Sequence, residues 1–217
     1  MELGLGMPAA TLTMPDPSAR QRLAAFVARV VRLDRAAVVR LHAADGEVDA
    51  WAQTTFDALT TLSLPGAAQP ADVTVGGNEL LAALAVERTA DVDPGTRADA
   101  SWRAELPPRA GWEPAAEVPA AELEGLTERG LALAREHADA HGAPPAELLD
   151  QVVLTAGEPP RTVQVPLRCL FALAGMGLSD GVTPIRVAAM PGWLRLDAPF
   201  GSVVRLRRMV LPLIATR

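Results

Sequence analysis

The chain has 217 residues, nearly half of them apolar, and a formal net charge of −6 at pH 7. That length suffices for one large domain or two smaller ones, each with a real core. No uncharged apolar run reaches the roughly 18 residues of a membrane span, and Met1 to Pro17 lacks the basic start and apolar centre of a signal peptide, so a cytoplasmic protein without membrane contact is expected.

A single cysteine, Cys169, excludes an intramolecular disulfide and a cysteine-rich metal site. It lies in the most apolar helical stretch, where a packed core thiol is the expected state. All 20 basic residues are arginine. Charge is uneven: up to Pro160 there are 12 arginines against 24 acids, and from Arg161 onward 8 against 2. Such asymmetry fits oppositely charged surfaces packing within or between chains, or a nucleic-acid surface, and the acidic total favours the former.

Residues 1–17 have three prolines and no periodicity, which predicts a flexible arm. Ser18 with Gln21 forms a capping-box pattern. Leu23, Phe26, Val27, Val30 and Val31 then follow at the spacing of one helix face, predicting a helix over Ala19 to Leu33. Three strands are expected next: Ala36 to Ala43, Glu47 to Thr54 and Phe56 to Leu64. Asp45-Gly46 between the first two is a hairpin signal, because both central residues must reach positive φ.

Val73 and Val75 lead through Gly76-Gly77 into a helix from Asn78 to Val86. The glycine pair lacks the lysine and hydroxyl of a phosphate loop, so it reads as an ordinary strand-to-helix turn. Residues 87–119 hold five prolines and many acids, which predicts a long connector, partly mobile over Asp91 to Ala100. Trp102 and Trp112 within it predict that it is pinned across an apolar surface. Pro119 opens a helix to about Ala140, with Leu123, Leu126, Gly130, Leu133 and His137 inward. A short helical turn from Pro145 to Leu149 and a hairpin, Gln151 to Ala156 with Arg161 to Val165, follow.

Val163 to Arg207 organises the rest. Pro166 suits a first helical turn and Gly175 and Gly177 stop it, giving a helix over Leu167 to Met176 that is apolar nearly all round. A three-stranded meander follows, with turns at Pro191-Gly192 and Pro199 to Ser202. With Ile185, Val187, Leu194, Leu196, Val204 and Leu206 inward, the outward face carries Arg186, Trp193, Arg195, Arg205 and Arg207, the candidate binding surface. Ser18 to Ala36 and Pro166 to Pro184 both span 18 residues, so both ends of the chain read as one helix-then-meander unit, with Trp51 and Trp193 in the middle strands.

No serine lies in a Gly-x-Ser-x-Gly elbow, and none of the three histidines has an evident carboxylate and nucleophile. His137 and His141 are four apart and could share a helix face for a metal, but no third ligand accompanies them, so no metal or cofactor is expected. His42, Asp49 and Trp51 are the polar groups best placed for a pocket on the first meander. Val165-Pro166-Leu167-Arg168-Cys169-Leu170-Phe171-Ala172-Leu173, Gly192-Trp193-Leu194-Arg195-Leu196-Asp197 and Leu33-Asp34-Arg35-Ala36-Ala37-Val38-Val39-Arg40-Leu41 resemble uncharacterised hypothetical proteins of high-GC actinobacteria. The resemblance implies source and cytoplasmic location but no activity, cofactor or site.

The expected fold is α+β, with two αβββ-like lobes joined by a helical, Pro-rich middle. Its divisions are an arm at 1–17, an N-terminal lobe at 18–87, a connector at 88–118 and a C-terminal lobe at 119–217. The expected function is non-enzymatic interaction with a protein partner or further copies of the chain. The alternatives are nucleic-acid binding by the Arg186, Trp193, Arg195 face, where arginines hold phosphates and an aromatic stacks a base, and a small-molecule enzyme or binder with a pocket between the lobes.

Overall fold

A computed structural model describes residues 9–86, 89–138, 144–159 and 161–207. In chain order it contains β1 (Thr11–Thr13), α1 (Pro17–Leu33), β2 (Val38–Ala44), β3 (Glu47–Gln53), β4 (Leu59–Pro65), β5 (Ala67–Gln69), β6 (Asp72–Gly76) and α2 (Gly77–Val86). There follow β7 (Asp91–Val92), a 3₁₀ turn at Asp99–Ser101, β8 (Glu113–Val118), α3 (Ala120–Glu136), α4 (Ala146–Leu149), β9 (Val152–Ala156) and β10 (Val163–Pro166). The chain continues through α5 (Leu167–Gly175), β11 (Ile185–Met190), β12 (Trp193–Ala198) and β13 (Gly201–Leu206).

Helix α1 begins two residues earlier than the capping-box pattern suggested. Asp16 is the N-cap, its carboxylate accepting from the Ser18 amide at 2.9 Å, and Pro17 takes the first helical position, where no amide is needed. The Asp45-Gly46 turn has φ of 56° and 80°, which matches the twist of the flanking strands. Both ends of the chain do run helix then meander: α1 precedes β2, β3 and β4, and α5 precedes β11, β12 and β13.

The two meanders are joined in one antiparallel sheet of order β6-β2-β3-β4-β13-β12-β11-β8. Its seam is the pairing of β4 with β13, where Thr61, Thr60 and Leu59 face Ser202, Val203 and Val204. Gly201 opens β13 at φ 137°, and a Cβ there would come within 2.8 Å of the Thr61 carbonyl. Gly201→Ala should therefore cost about 2 kcal/mol, from backbone strain and the lost approach at the seam. Urea denaturation checks this; an unchanged midpoint would show that the seam can open without penalty.

One face of this sheet presents Val39, Leu41, Ala50, Leu62, Val187, Leu196 and Val203 to α1, α2, α3 and α5, forming a continuous core with Phe26, Leu80, Leu123 and Leu170. The segment expected as an arm contributes to it. Leu12 and Met14 are buried, and β1 pairs with both β5 and β7. A three-residue strand is too short to show periodicity, which is why it reads as coil. The Asp91 to Ala100 stretch is also tied down, by β7 and by an Arg97 bridge to Val75. In α3 the buried stripe is Ala120, Leu123, Thr127, Gly130 and Ala134, while Leu133 and His137 face out.

Cys169 is buried, and burial pushes its thiol up from an ordinary 9.0 to about 12, with Arg205 and Arg168 pulling the other way. Unfolded thiol ionises near 9 while the folded thiol keeps its proton, so the unfolded state binds fewer protons in this window. Stability should fall as pH rises from about 9 to about 12, by up to about 1.4 kcal/mol per unit. Cys169→Ala, compared by urea titration across that range, should lack this component.

Candidate functional site

The opposite, outer face of the sheet carries the polar constellation. Cross-strand register places Arg40, Trp51, Thr61, Ser202, Asp197 and Arg186 opposite one another in a row running from β2 to β11. A second row, nearer the β2–β3 turn, holds His42, Asp49 and Ser63. Period-two alternation dictates both rows once the apolar residues between them face the helices.

This face is roofed by the chain's own connector. Trp51, Leu59, Trp193 and Val204 form an apolar cluster on it, packed against Trp102, Ala104, Leu106, Trp112 and Met190. The Arg40 guanidinium lies 5.7 Å from the Trp102 ring, and that of Arg195 lies 5.6 Å from Trp112. The two connector tryptophans are thus pinned across an apolar surface of this chain. Strand β3 is consequently buried on both sides from Val48 to Ala52.

Between the sheet and Pro107, Pro108, Arg109 and Trp112 runs a groove of about 490 Å³. Each half of the chain supplies it with a carboxylate, a hydroxyl and an arginine. In the N-terminal half Ser63 donates to Asp49 and Arg22 borders the groove, while Arg109 of the connector lies 3.0 Å from Asp49, 3.3 Å from Asp45 and 3.5 Å from Glu47. In the C-terminal half Asp197 accepts from Ser202 at 2.7 Å and from the Arg195 Nε. Arg186 also lines the groove and makes no ion pair among the described residues. Both serine hydroxyls of the groove are thus held as donors to carboxylates.

His42 stands apart from the groove, 3.8 Å from Asp72. Asp72 is held below the usual carboxylate range by the hydrogen bonds of Arg40 at 2.5 and 2.8 Å. His141 lies outside the described residues, and His137 Nδ1 is 2.9 Å from the Leu133 carbonyl. Among the described residues no group of three or more metal-ligating side chains converges.

The five residues expected on one face are divided. Arg186, Trp193 and Arg195 lie on the outer face, with Trp193 buried under the connector. Arg205 is opposite Leu194 and therefore points to the helical side, and Val204, opposite Arg195, points outward. Arg207 borders a separate groove with Glu113, Arg161 and Ala189. The cause is register. Ala198 pairs with Gly201, so β13 starts two residues before the predicted strand, and with Val203 and Val204 both apolar the sequence pattern fits either face.

Arg205 instead joins Arg168, Asp57 and Asp150. Asp150 accepts from Arg168 Nε at 2.8 Å and from Arg205 Nη2 at 3.1 Å, and Asp57 lies 3.6 Å from Arg168 and 3.4 Å from Arg205. Sequence reasoning passed over Asp57 and Asp150 because each sits in a loop or cap where an acid is ordinarily solvated.

The fold resembles that of DNA polymerase sliding clamps. The clamp of Pseudomonas aeruginosa matches at 13% identity and a TM-score of 0.55, over 95% of this chain and 66% of that one. The clamp of Bacillus subtilis matches at 12% identity and a TM-score of 0.58, with 95% and 66% covered. The DNA polymerase III β subunit of Thermotoga maritima matches at 14% and 0.53, with 94% and 66% covered. At such identity the likeness is one of fold, and the chain spans just under two thirds of the clamp chains' length. Residues 7–104 match a domain of unknown function (DUF8010), and residues 107–210 match a second (DUF8185). No curated protein matches the chain. Among the described residues no helix is long and apolar enough to cross a membrane.

Proposed function

We propose that this chain is a non-enzymatic interaction protein that acts by associating with further copies of itself. The supporting observation is the clamp-like architecture over 95% of the chain, in a protein whose aromatic sheet face is already occupied by its own connector. The reading divides the chain into two αβββ-like units, 18–87 and 119–217, with 88–118 as the strap between them and residues 1–17 leading in. A cytoplasmic, actinobacterial origin belongs to the same reading, supported by the all-arginine basic composition.

The deciding measurement is the solution mass by light scattering at low and high salt, with the nucleic-acid absorbance ratio taken on the same peak. A species of two or more chains free of nucleic acid is expected. A clean monomer overturns the reading. A monomer whose bound nucleic acid is stripped by salt favours DNA or RNA instead, for which the likeness to DNA sliding clamps and the Arg186 and Arg195 side chains provide the motive.

A second reading, a small-molecule binder, is favoured by the groove lined from both halves, within the size range of ligand pockets. Its test is a melting-temperature rise with a nucleoside monophosphate or benzoate, abolished by Arg186→Ala. No rise with any such anion at millimolar concentration removes it.

A further inference from the structure

We infer that two copies of the chain dock helical side to helical side, the arginine stripe of α1 in one copy lying on the glutamate ridge of α3 in the other. The inference rests on the self-association proposed above and names its surface. Helix α1 carries Arg20, Arg22, Arg29 and Arg32 and no acid. Helix α3 carries Glu122, Glu124, Glu128 and Glu136 against Arg129 and Arg135. Among the described residues none of these ten charges is paired within the chain, although twelve ion-pair contacts occur elsewhere in it. The few contacts they do make, Arg20 to the Thr89 carbonyl, Arg32 to the Gly175 carbonyl and Arg29 over Phe200, leave the positive charge uncompensated.

Shape agrees with charge. On α1 the exposed side holds Ala25 and Ala28 between Arg22, which also borders the outer-face groove, and Arg29 and Arg32, a low floor with charged walls at helical spacing. On α3 the exposed Glu124, Glu128 and Leu131 recur at i, i+4 and i+7, and Leu131 and Leu133 are large apolar side chains left in water. Apolar grooves flank α3. One, of about 310 Å³, has Leu170 and Leu173 at its base and Glu124 and Glu128 at its rim. The other, of about 570 Å³, lies between Leu131, Phe56 and Phe171. Arginine suits such ground, burying its methylene stem while its head meets a carboxylate.

Both helices bury their inner faces in the same core on the same side of the eight-stranded sheet, through Phe26 and Val30 of α1 and Leu123 of α3. A two-fold axis between copies therefore forms the contact twice, α1 on α3 and α3 on α1, which is how a self-complementary surface closes. A partner of other identity would have to match both signs on one face, and the chain itself already does.

The test is sedimentation equilibrium of the full chain at low ionic strength, with charge-reversal variants. Arg22→Glu with Arg29→Glu should weaken dimerisation about 30-fold or more, Glu124→Arg with Glu128→Arg should do the same, and the four changes together should restore it to within about threefold. Because the side chains are surface groups, circular dichroism and melting temperature confirm that each variant is folded. A dimer indifferent to both reversals overturns the inference while leaving self-association standing, and a wild-type monomer overturns both. If the α1 reversal alone has an effect, or the combined variant is not rescued, α1 faces some other partner and the inference falls.

Discussion

Trp193→Ala lowers the unfolding free energy by about 4 kcal/mol, the range for deleting a buried tryptophan from a packed cluster. Trp193 is only 6% exposed although it lies on the outer face of the sheet, because Trp102, Ala104, Leu106 and Trp112 cover the cluster it shares with Trp51, Leu59 and Val204. The loss combines the transfer energy of the indole with a cavity that a proline-rich strap cannot readily collapse into. A second consequence separates this from ordinary core damage: amide hydrogens of residues 102–112 should exchange faster, while those of α1 keep their protection. Trp112→Ala should cost less, since Trp112 is half-buried at the edge and rests on Arg195. The measurements are urea denaturation and hydrogen exchange by mass spectrometry. A change below about 1 kcal/mol would mean that the strap does not pack on Trp193 in solution.

What the sequence discloses here is mostly local. The α1 stripe, the Asp45-Gly46 hairpin, the Gly76-Gly77 entry into α2 and the helix-then-meander order at both ends each depend on neighbours within about a dozen residues, where periodicity and turn chemistry decide the conformation. The seam between β4 and β13 joins residues some 140 positions apart in the chain. No periodic pattern encodes which strand an edge will meet, and two meanders that read as separate lobes become one sheet. The same gap explains the divided arginine face. Val203 and Val204 are both buried because the sheet is covered on both sides, by helices and by the connector, and a strand buried on both faces loses the alternation that fixes its orientation. Trp102 and Trp112 did signal that the connector is pinned, but not which surface receives it.

The charge asymmetry of the chain has a physical counterpart in the cluster of Asp57, Asp150, Arg168 and Arg205. Two acids from the acidic portion meet two arginines from the basic one, tying the β3–β4 loop and the end of α4 to α5 and β13. The side chains of Arg168 and Arg205 are only 7% and 11% exposed, whereas those of Asp150 and Asp57 are 36% and 69% exposed. Such a cluster adds little net stability compared with apolar residues of the same volume, yet breaking it from one side is costly.

Asp150→Ala should destabilise the protein by about 3 kcal/mol, because it leaves two nearly buried guanidinium groups with the longer contacts to the mostly solvated Asp57 carboxylate and with two backbone carbonyls, that of Phe56 at 3.1 Å from Arg168 and that of Asp57 at 3.3 Å from Arg205. The partial exposure of Asp150 places this at the low end of the range for a broken buried pair. Asp57→Ala should cost less than about 1 kcal/mol, since that carboxylate is mostly in water and its longer contacts are screened. Adding Arg168→Met to Asp150→Ala should recover part of the loss, as the stranded charge is removed while the side-chain volume is kept. Urea denaturation of the three variants tests the hierarchy. If Asp57→Ala proves as damaging as Asp150→Ala, or if Arg168→Met deepens the loss instead of relieving it, the cost lies in packing at the α4–α5 junction and not in the buried charge.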